Sequence, residues 1–233
     1  MTRLAESARL VRERVASAAE RSGRPAGDIH IVAVSKTVPP ERLREAHALG
    51  FTTFGENRVQ EAEEKISALL GLDLRWELIG HLQTNKAARA LQLFNRIQSL
   101  DSLRLIDILN ARGHENSWVV PVLLEVNVAE EPSKTGFAPG ELREAAHLVA
   151  DCGWLRAEGL MTVAPLAGDP EAVRPYFRRL RELRDDLAEH VPLSQGAWRE
   201  LSMGMSDDFE VAIEEGATMI RVGRALFGER PPA

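Results

Sequence analysis

The sequence predicts a (β/α)8 barrel with an extra N-terminal helix, read as a single domain spanning residues 1–233. Three observations carry that expectation. Eight short apolar runs alternate with longer stretches of helical periodicity, which is the pattern of parallel β/α units. The length of 233 residues accommodates eight such units. The first run is followed by Ser35-Lys36-Thr37-Val38-Pro39-Pro40, without the glycine-rich turn that an open doubly wound sheet places there.

Taken in order, Thr2–Ser22 puts Leu4, Ala8, Val11, Val15 and Ala18 on one face and is stopped by Gly23 and Pro25, an amphipathic helix. Ile29–Val34 is rich in Val and Ile and too short for a buried helix, so it reads as a strand buried on both faces. A helix over Glu41–Leu49 ends at Gly50, a short strand covers Thr52–Gly55, and a polar helix follows Glu56-Asn57 to Leu70. Arg75–Gly80 is the third strand, and Thr84 or Asn85 is a candidate cap for a helix over Lys86–Phe94. Ile97–Leu100 is the fourth strand, with a helix over Ser102–Arg112 closed by Gly113. Trp118–Val128 is the longest apolar run and the fifth strand, trailed by a polar loop containing Ser133-Lys134-Thr135-Gly136. Pro139–Cys152 is a helix and Leu155–Met161 the sixth strand; a long helix then runs to about Glu189. Glu200–Met203, a helix over Asp207–Glu215, Thr218–Val222 and a last helix complete the barrel.

Composition narrows the function. With 44% hydrophobic and 27% charged residues and a net charge of −6, the chain has no basic stripe with interleaved aromatics, and nucleic acid is not an expected partner. The Arg-rich segment Arg174–Arg184 alternates with acidic residues and reads as a solvated helix face. Cys152 is the only cysteine, which excludes an intrachain disulfide and fits a reducing compartment. The scattered histidines have no close ligand spacing, so no metal is expected. No apolar run reaches membrane-spanning length and the N-terminal segment is charged, so the expected location is the cytoplasm, without a membrane partner.

In a barrel the active site lies at the C-terminal ends of the strands, and phosphate sites form from the loops after strands seven and eight. Lys36 stands at the end of strand one, where a partly desolvated amine becomes available for Schiff-base chemistry; the alternative is a lysine snorkelling at a strand end. Ser206 stands at a helix start after strand seven, and Gly204 and Gly223 allow close backbone approach to a ligand. A helix cap and ordinary turn glycines would explain either loop alone. Together, the three places describe an amine beside a phosphate. Strands one and eight are neighbours in a closed barrel, so Arg221 should lie near Lys36. An aldehyde with a phosphate arm, pyridoxal 5′-phosphate (PLP), fits this set, with Arg221 facing the pyridine nitrogen. A guanidinium only donates, so that nitrogen would stay unprotonated and the ring would be a weaker electron sink. A structural ion pair of Arg221 with Glu210 or Glu214 is the competing expectation.

The motifs AVSKT (Ala33–Thr37), FGENRVQE (Phe54–Glu61), IGHLQTNK (Ile79–Lys86), SKTGF (Ser133–Phe137), GLMTV (Gly159–Val163), LSMGMSDDFEVAI (Leu201–Ile213) and IRVGRALFG (Ile220–Gly228) stand in that order. With them, nearly the whole chain resembles the YggS/PROSC family of PLP homeostasis proteins, relatives of the alanine racemase N-terminal barrel. The resemblance implies Lys36 as the Schiff-base lysine carrying PLP as an aldimine and Arg221 as the partner of the ring nitrogen. It assigns Asn57, Ser202, Ser206, Gly223 and Arg224 to the pocket and its phosphate cradle, and His81 and Met161 to positions near the ring. The family often has His where Glu77 stands and a basic residue near Val38, departures that bear on the pocket mouth. The function implied is a carrier or regulator that holds and releases PLP in vitamin B6 and amino-acid homeostasis. PLP-dependent apo-enzymes are the implied recipients, the carrier is expected to be a monomer, and no catalytic residue is assigned. A PLP-dependent racemase is the first alternative, but it needs a second acid/base opposite Lys36. In the racemases a tyrosine from an added C-terminal domain supplies it. Here the chain ends at Ala233, and its sole tyrosine, Tyr176, falls on the helix after strand six, expected on the outside. A Schiff-base aldolase for a phosphorylated substrate is the second alternative.

Overall fold

A computed structural model describes residues 2–191 and 197–229. The elements run α1 (Arg3–Arg21), β1 (His30–Val34), α2 (Pro40–Ala48), β2 (Thr53–Glu56), α3 (Val59–Ala68), β3 (Arg75–Leu78), α4 (Ala87–Leu93) and β4 (Arg96–Leu100). They continue with α5 (Leu103–Glu115), β5 (Val120–Glu125), α6 (Leu142–Asp151), β6 (Leu155–Met161), α7 (Arg174–His190), β7 (Glu200–Ser202), α8 (Phe209–Glu214), β8 (Met219–Val222) and α9 (Arg224–Phe227). The strands form a closed parallel barrel in sequence order, with β8 pairing back on β1. The (β/α)8 expectation holds. Closure sets Val32 of β1 against Arg221 of β8 in register, so the residue that carries the cation and the strand that leads to Lys36 are adjacent.

The large apolar cluster lies between the strands and the helices, with Ala33, Phe54, Leu78, Ile97, Val122, Leu160 and Ile220 facing Leu43, Ala62, Leu91, Ile106, Ala146 and Phe177. Removing the Leu, Ile, Val and Phe side chains among them from water stabilises the fold by roughly 1.5–3 kcal/mol each. The extra helix is the predicted one: Leu4, Ala8, Val11, Val15 and Ala18 are its buried face. It packs on α8 and α9, where Arg14 pairs with Glu210 at 2.9 Å and covers the Phe209 ring at 4.3 Å from its centroid.

Several boundaries differ from the sequence reading, among them α6, which starts at Leu142 rather than Pro139; three have a clear physical reason. Helix α5 does not stop at Gly113 but runs through it to Glu115. A Cβ at Gly113 would sit 2.9 Å from the Trp118 carbonyl oxygen and 2.9 Å from Trp154 Cβ, so this glycine serves close packing rather than termination. The fifth strand ends at Glu125, and Val126 forms only an isolated bridge with Phe137, because the polar loop folds back against it. Helix α8 begins at Phe209, not Asp207, since Met205 to Asp208 form a turn in which Asp208 Oδ1 accepts from Met205 N at 2.6 Å.

Candidate cofactor-binding site

At the C-terminal ends of β1, β2, β3, β6, β7 and β8 lies a cavity of about 440 Å³ bordered by Lys36, Asn57, Ile79, Val163, Ser206, Arg221, Gly223 and Arg224, among others. Six strand ends from the two halves of the chain therefore meet there. Lys36 follows β1 by two residues, in a turn where Thr37 has φ 64°, an unfavourable conformation for a β-branched residue. The turn is held from outside the barrel: Lys65 Nζ donates to the Ser35 carbonyl at 2.6 Å and Glu61 Oε1 accepts from the Thr37 amide at 2.5 Å.

Arg221 is only 4% exposed. Burial pushes its pKa down to about 10, while Asp208 and Glu125 nearby favour the charge. Its Nη1 donates to Ser202 Oγ at 2.7 Å and its Nη2 to the Thr162 carbonyl at 2.6 Å. The ion pair weighed for it with Glu210 or Glu214 does not form: Glu210 binds Arg14, and Glu214 binds Arg21 and Arg174. Those carboxylates lie on α8, which faces α1 and α7, whereas Arg221 points into the barrel.

The other expected residues separate into two groups. Ser206 borders the cavity, but it does not cap α8; its Oγ accepts from the Ala225 amide at 3.1 Å, tying the loop after β7 to that after β8. Gly223 borders the cavity as well, and Arg224 reaches across to Asp207 in an ion pair at the rim. Asn57 stands under Gly80, where a Cβ would lie 2.6 Å from the Asn57 carbonyl oxygen. Its buried Oδ1 makes no hydrogen bond among the described residues.

Ser202, Met161, His81 and Gly204 stand elsewhere. Ser202 is fully buried behind Arg221, its hydroxyl occupied by Arg221 and Gln98, so it lies outside the cradle expected of it. Met161 is buried in register with Ser202, among the described residues lining no part of the cavity. His81 is about half exposed on the opposite rim, its Nδ1 engaged with the buried Asp101. Gly204 has φ 92°, and a Cβ there would lie 2.5 Å from Ala212 Cβ; its reason is the tight β7–α8 turn, not ligand approach. Glu77 sits inside the barrel on β3 with 2% exposure, away from the mouth where its departure from the family was expected to matter.

Sequence reasoning missed Gln98, Thr162 and the Lys65 group. The signal for Gln98 was a long polar side chain in the short apolar strand Arg96–Leu100; Thr162 stood unassigned within GLMTV. The SKTG loop also acquires a place: Thr135 Oγ1 donates to Glu125 Oε1 at 2.9 Å, and burial pushes the Glu125 carboxyl above its usual range.

Residues 9–231 match the alanine racemase N-terminal domain family. A protein of Aquifex aeolicus named pyridoxal phosphate homeostasis protein is 48% identical over 94% of this chain and 95% of its own length. One of the same name from Pseudomonas aeruginosa is 41% identical over 99% and 97%. The chain belongs to the pyridoxal phosphate homeostasis protein family. Among solved structures, PipY of Synechococcus elongatus with PLP bound superposes with a TM-score of 0.81 at 37% identity, covering 94% of this chain and 100% of that one. An alanine racemase from Corynebacterium glutamicum, at 16% identity, TM-score 0.68 and 62% of its length, shares the fold alone.

The donor set of this family member fits PLP on its own chemistry. The cavity offers an amine at Lys36, a guanidinium that only donates at Arg221, and a serine hydroxyl beside backbone at Ser206 and Gly223, with Asn57 on its wall. Its volume falls in the range of small-molecule sites. Among the described residues no helix is long and apolar enough to cross a membrane.

Proposed function

We propose that this chain holds PLP at the barrel mouth and releases it to PLP-dependent apo-enzymes, without turning over an amino-acid substrate at enzymatic rates. The observation that carries this reading is that Lys36, Arg221 and Ser206 border one cavity. When bound, PLP supplies an aldehyde that condenses reversibly with an amine. Lys36 provides that amine from a backbone turn clamped by Lys65 and Glu61. Ser206, Gly223 and Arg224 receive the phosphate on the β7–β8 side, where the Arg224–Asp207 pair opens to solvent. Arg221 faces the ring nitrogen and donates to it. A buried guanidinium that keeps its proton leaves that nitrogen unprotonated, which suits storage better than carbanion chemistry.

Inversion at an amino-acid α-carbon needs a proton donor on each face. Lys36 serves one. Tyr176, the sole tyrosine, lies on α7 in the outer helical layer, packed against the apolar cluster, and does not serve the other.

Two measurements on PLP-loaded protein test this reading. Incubation with an apo-enzyme should restore that enzyme's activity, and NMR of alanine and other amino acids in deuterated buffer should show slow or absent α-exchange. Turnover of roughly 1–1000 per second on any of them would make the chain an enzyme instead.

A further inference from the structure

The barrel interior beneath Arg221 is crossed by one continuous chain of hydrogen bonds. Arg221 Nη1 donates to Ser202 Oγ at 2.7 Å, Ser202 Oγ donates to Gln98 Oε1 at 2.6 Å, and Gln98 Nε2 donates to Glu77 Oε2. Strands β7 and β4 are not neighbours in the barrel, so the Ser202–Gln98 bond spans its interior. All four side chains are buried. At the far end, Arg96 lies 3.6 Å from Glu77 and 2.8 Å from Glu158, while Met219 Sδ takes a second contact from Gln98 Nε2 at 3.0 Å.

The two ends dictate the direction of everything between them. A guanidinium has donors only and a carboxylate acceptors only. Glu77 therefore turns the Gln98 amide so that its NH2 faces the carboxylate and its oxygen faces Ser202. That oxygen accepts the hydrogen bond of the Ser202 hydroxyl, and the serine lone pairs are left facing Arg221. Each bond polarises the next in the same sense, from the Arg221 guanidinium to the Glu77 carboxyl; burial pushes that carboxyl above its usual range, while Arg96 and the Gln98 hydrogen bond favour its charged form. The carboxylates that otherwise favour the Arg221 charge, Asp208 and Glu125, spend bonds elsewhere, on the Met205 amide and Thr135.

We propose that Glu77, acting through Gln98 and Ser202, is a positioning residue for Arg221, fixing the guanidinium's orientation and hence the donor strength it presents to the pyridine nitrogen of PLP. The inference rests on the reading that Arg221 faces that nitrogen. It makes the inner strand residues Glu77 and Gln98, which border no part of the described cavity, determinants of the cofactor's electronic state.

The test is NMR of PLP labelled with 15N at the ring nitrogen, bound to the wild-type chain and to Arg221→Gln, Ser202→Ala, Gln98→Met and Glu77→Gln. Glu77→Gln keeps the shape and leaves Arg96 its partner Glu158; Gln98→Met cuts the chain with an unbranched side chain of similar length. The ring-nitrogen resonance should move toward that of an unbonded pyridine in Arg221→Gln and in the same direction, by less, in Glu77→Gln and Gln98→Met. PLP affinity should fall about three- to tenfold in the chain variants, with the Lys36 covalent absorption band retained. A resonance that answers to Arg221→Gln but not to Glu77→Gln or Gln98→Met overturns the proposal and leaves the placement of Arg221 standing. A resonance indifferent to Arg221→Gln overturns that placement, and the proposal with it. If Ser202→Ala fails to fold, the other two variants decide.

Discussion

Lys65 Nζ lies 2.6 Å from the carbonyl oxygen of Ser35, the residue immediately before Lys36. The same ammonium binds Glu56 Oε1 at 2.6 Å and Glu61 Oε1 at 2.7 Å, and Glu61 in turn holds the Thr37 amide. A buried ion pair outside the barrel wall thus fixes the backbone on both sides of the lysine at its mouth. Breaking such a pair from one side leaves an uncompensated buried charge, so Lys65→Met should cost about 3–5 kcal/mol, read as a lowered Tm. Lys65→Met with Glu56→Leu should recover much of that stability while PLP still attaches more slowly at position 36. An unchanged rate in the stable double variant would show that the clamp does not position Lys36.

Borohydride reduction of PLP-loaded protein should fix a pyridoxyl group on the peptide containing Lys36, identified by mass spectrometry. Lys36→Ala should lose the covalent absorption band yet retain some PLP through its phosphate. Recovery of the adduct on Lys86 or Lys134 in native protein would displace the assignment.

Ser206→Ala removes a hydroxyl from the cradle and the acceptor of the Ala225 amide. A hydrogen bond to a charged group contributes about 1.5–3 kcal/mol, so PLP affinity should fall tenfold or more on that scale. Pyridoxal, which lacks the phosphate, should bind far more weakly than PLP. Equal affinities measured by fluorescence titration would mean that the loops after β7 and β8 hold no phosphate.

Gly80→Ala would bring a Cβ to 2.6 Å from the Asn57 carbonyl oxygen and 2.8 Å from its Cα. Both are backbone atoms, so the β2–α3 turn must shift, at a cost of about 1–3 kcal/mol. The expected result is a lower Tm together with weaker PLP binding, since Asn57 borders the cavity. A lower Tm with unaltered PLP affinity would separate Asn57 from the site.

Burial holds the Glu125 carboxyl above its usual range; the Thr135 hydrogen bond opposes this and Asp101 reinforces it. A folded-state value above the unfolded one means that the folded protein binds the proton more tightly. The stability from this group is then full below about pH 4.3 and is lost as pH rises through the raised value. Glu125→Gln cannot titrate, so its Tm should gain on the wild type as pH rises from about 4 toward 8. A Tm difference that stays constant with pH would contradict the assignment.

Much of this was written locally in the chain. The alternation of apolar runs and amphipathic stretches depends on side-chain periods within each segment, which is why the eight units and the extra helix α1 were legible. A barrel puts strand ends at one face, so Lys36, Ser206, Arg221 and Gly223 could be gathered from their positions after β1, β7 and β8 alone. What only the tertiary structure decided depends on closure. Ser202 and Gln98 are 104 residues apart and meet only across the barrel interior, so Ser202 passed for a cradle residue and Glu77 for a rim residue. Lys65 reaches Ser35 only because α3 lies over the β1–β2 seam, and Ser206 found the Ala225 amide in place of its own helix. Periodicity says which face a side chain takes; which distant partner waits on that face follows from strand register and closure, and those are properties of the assembled barrel.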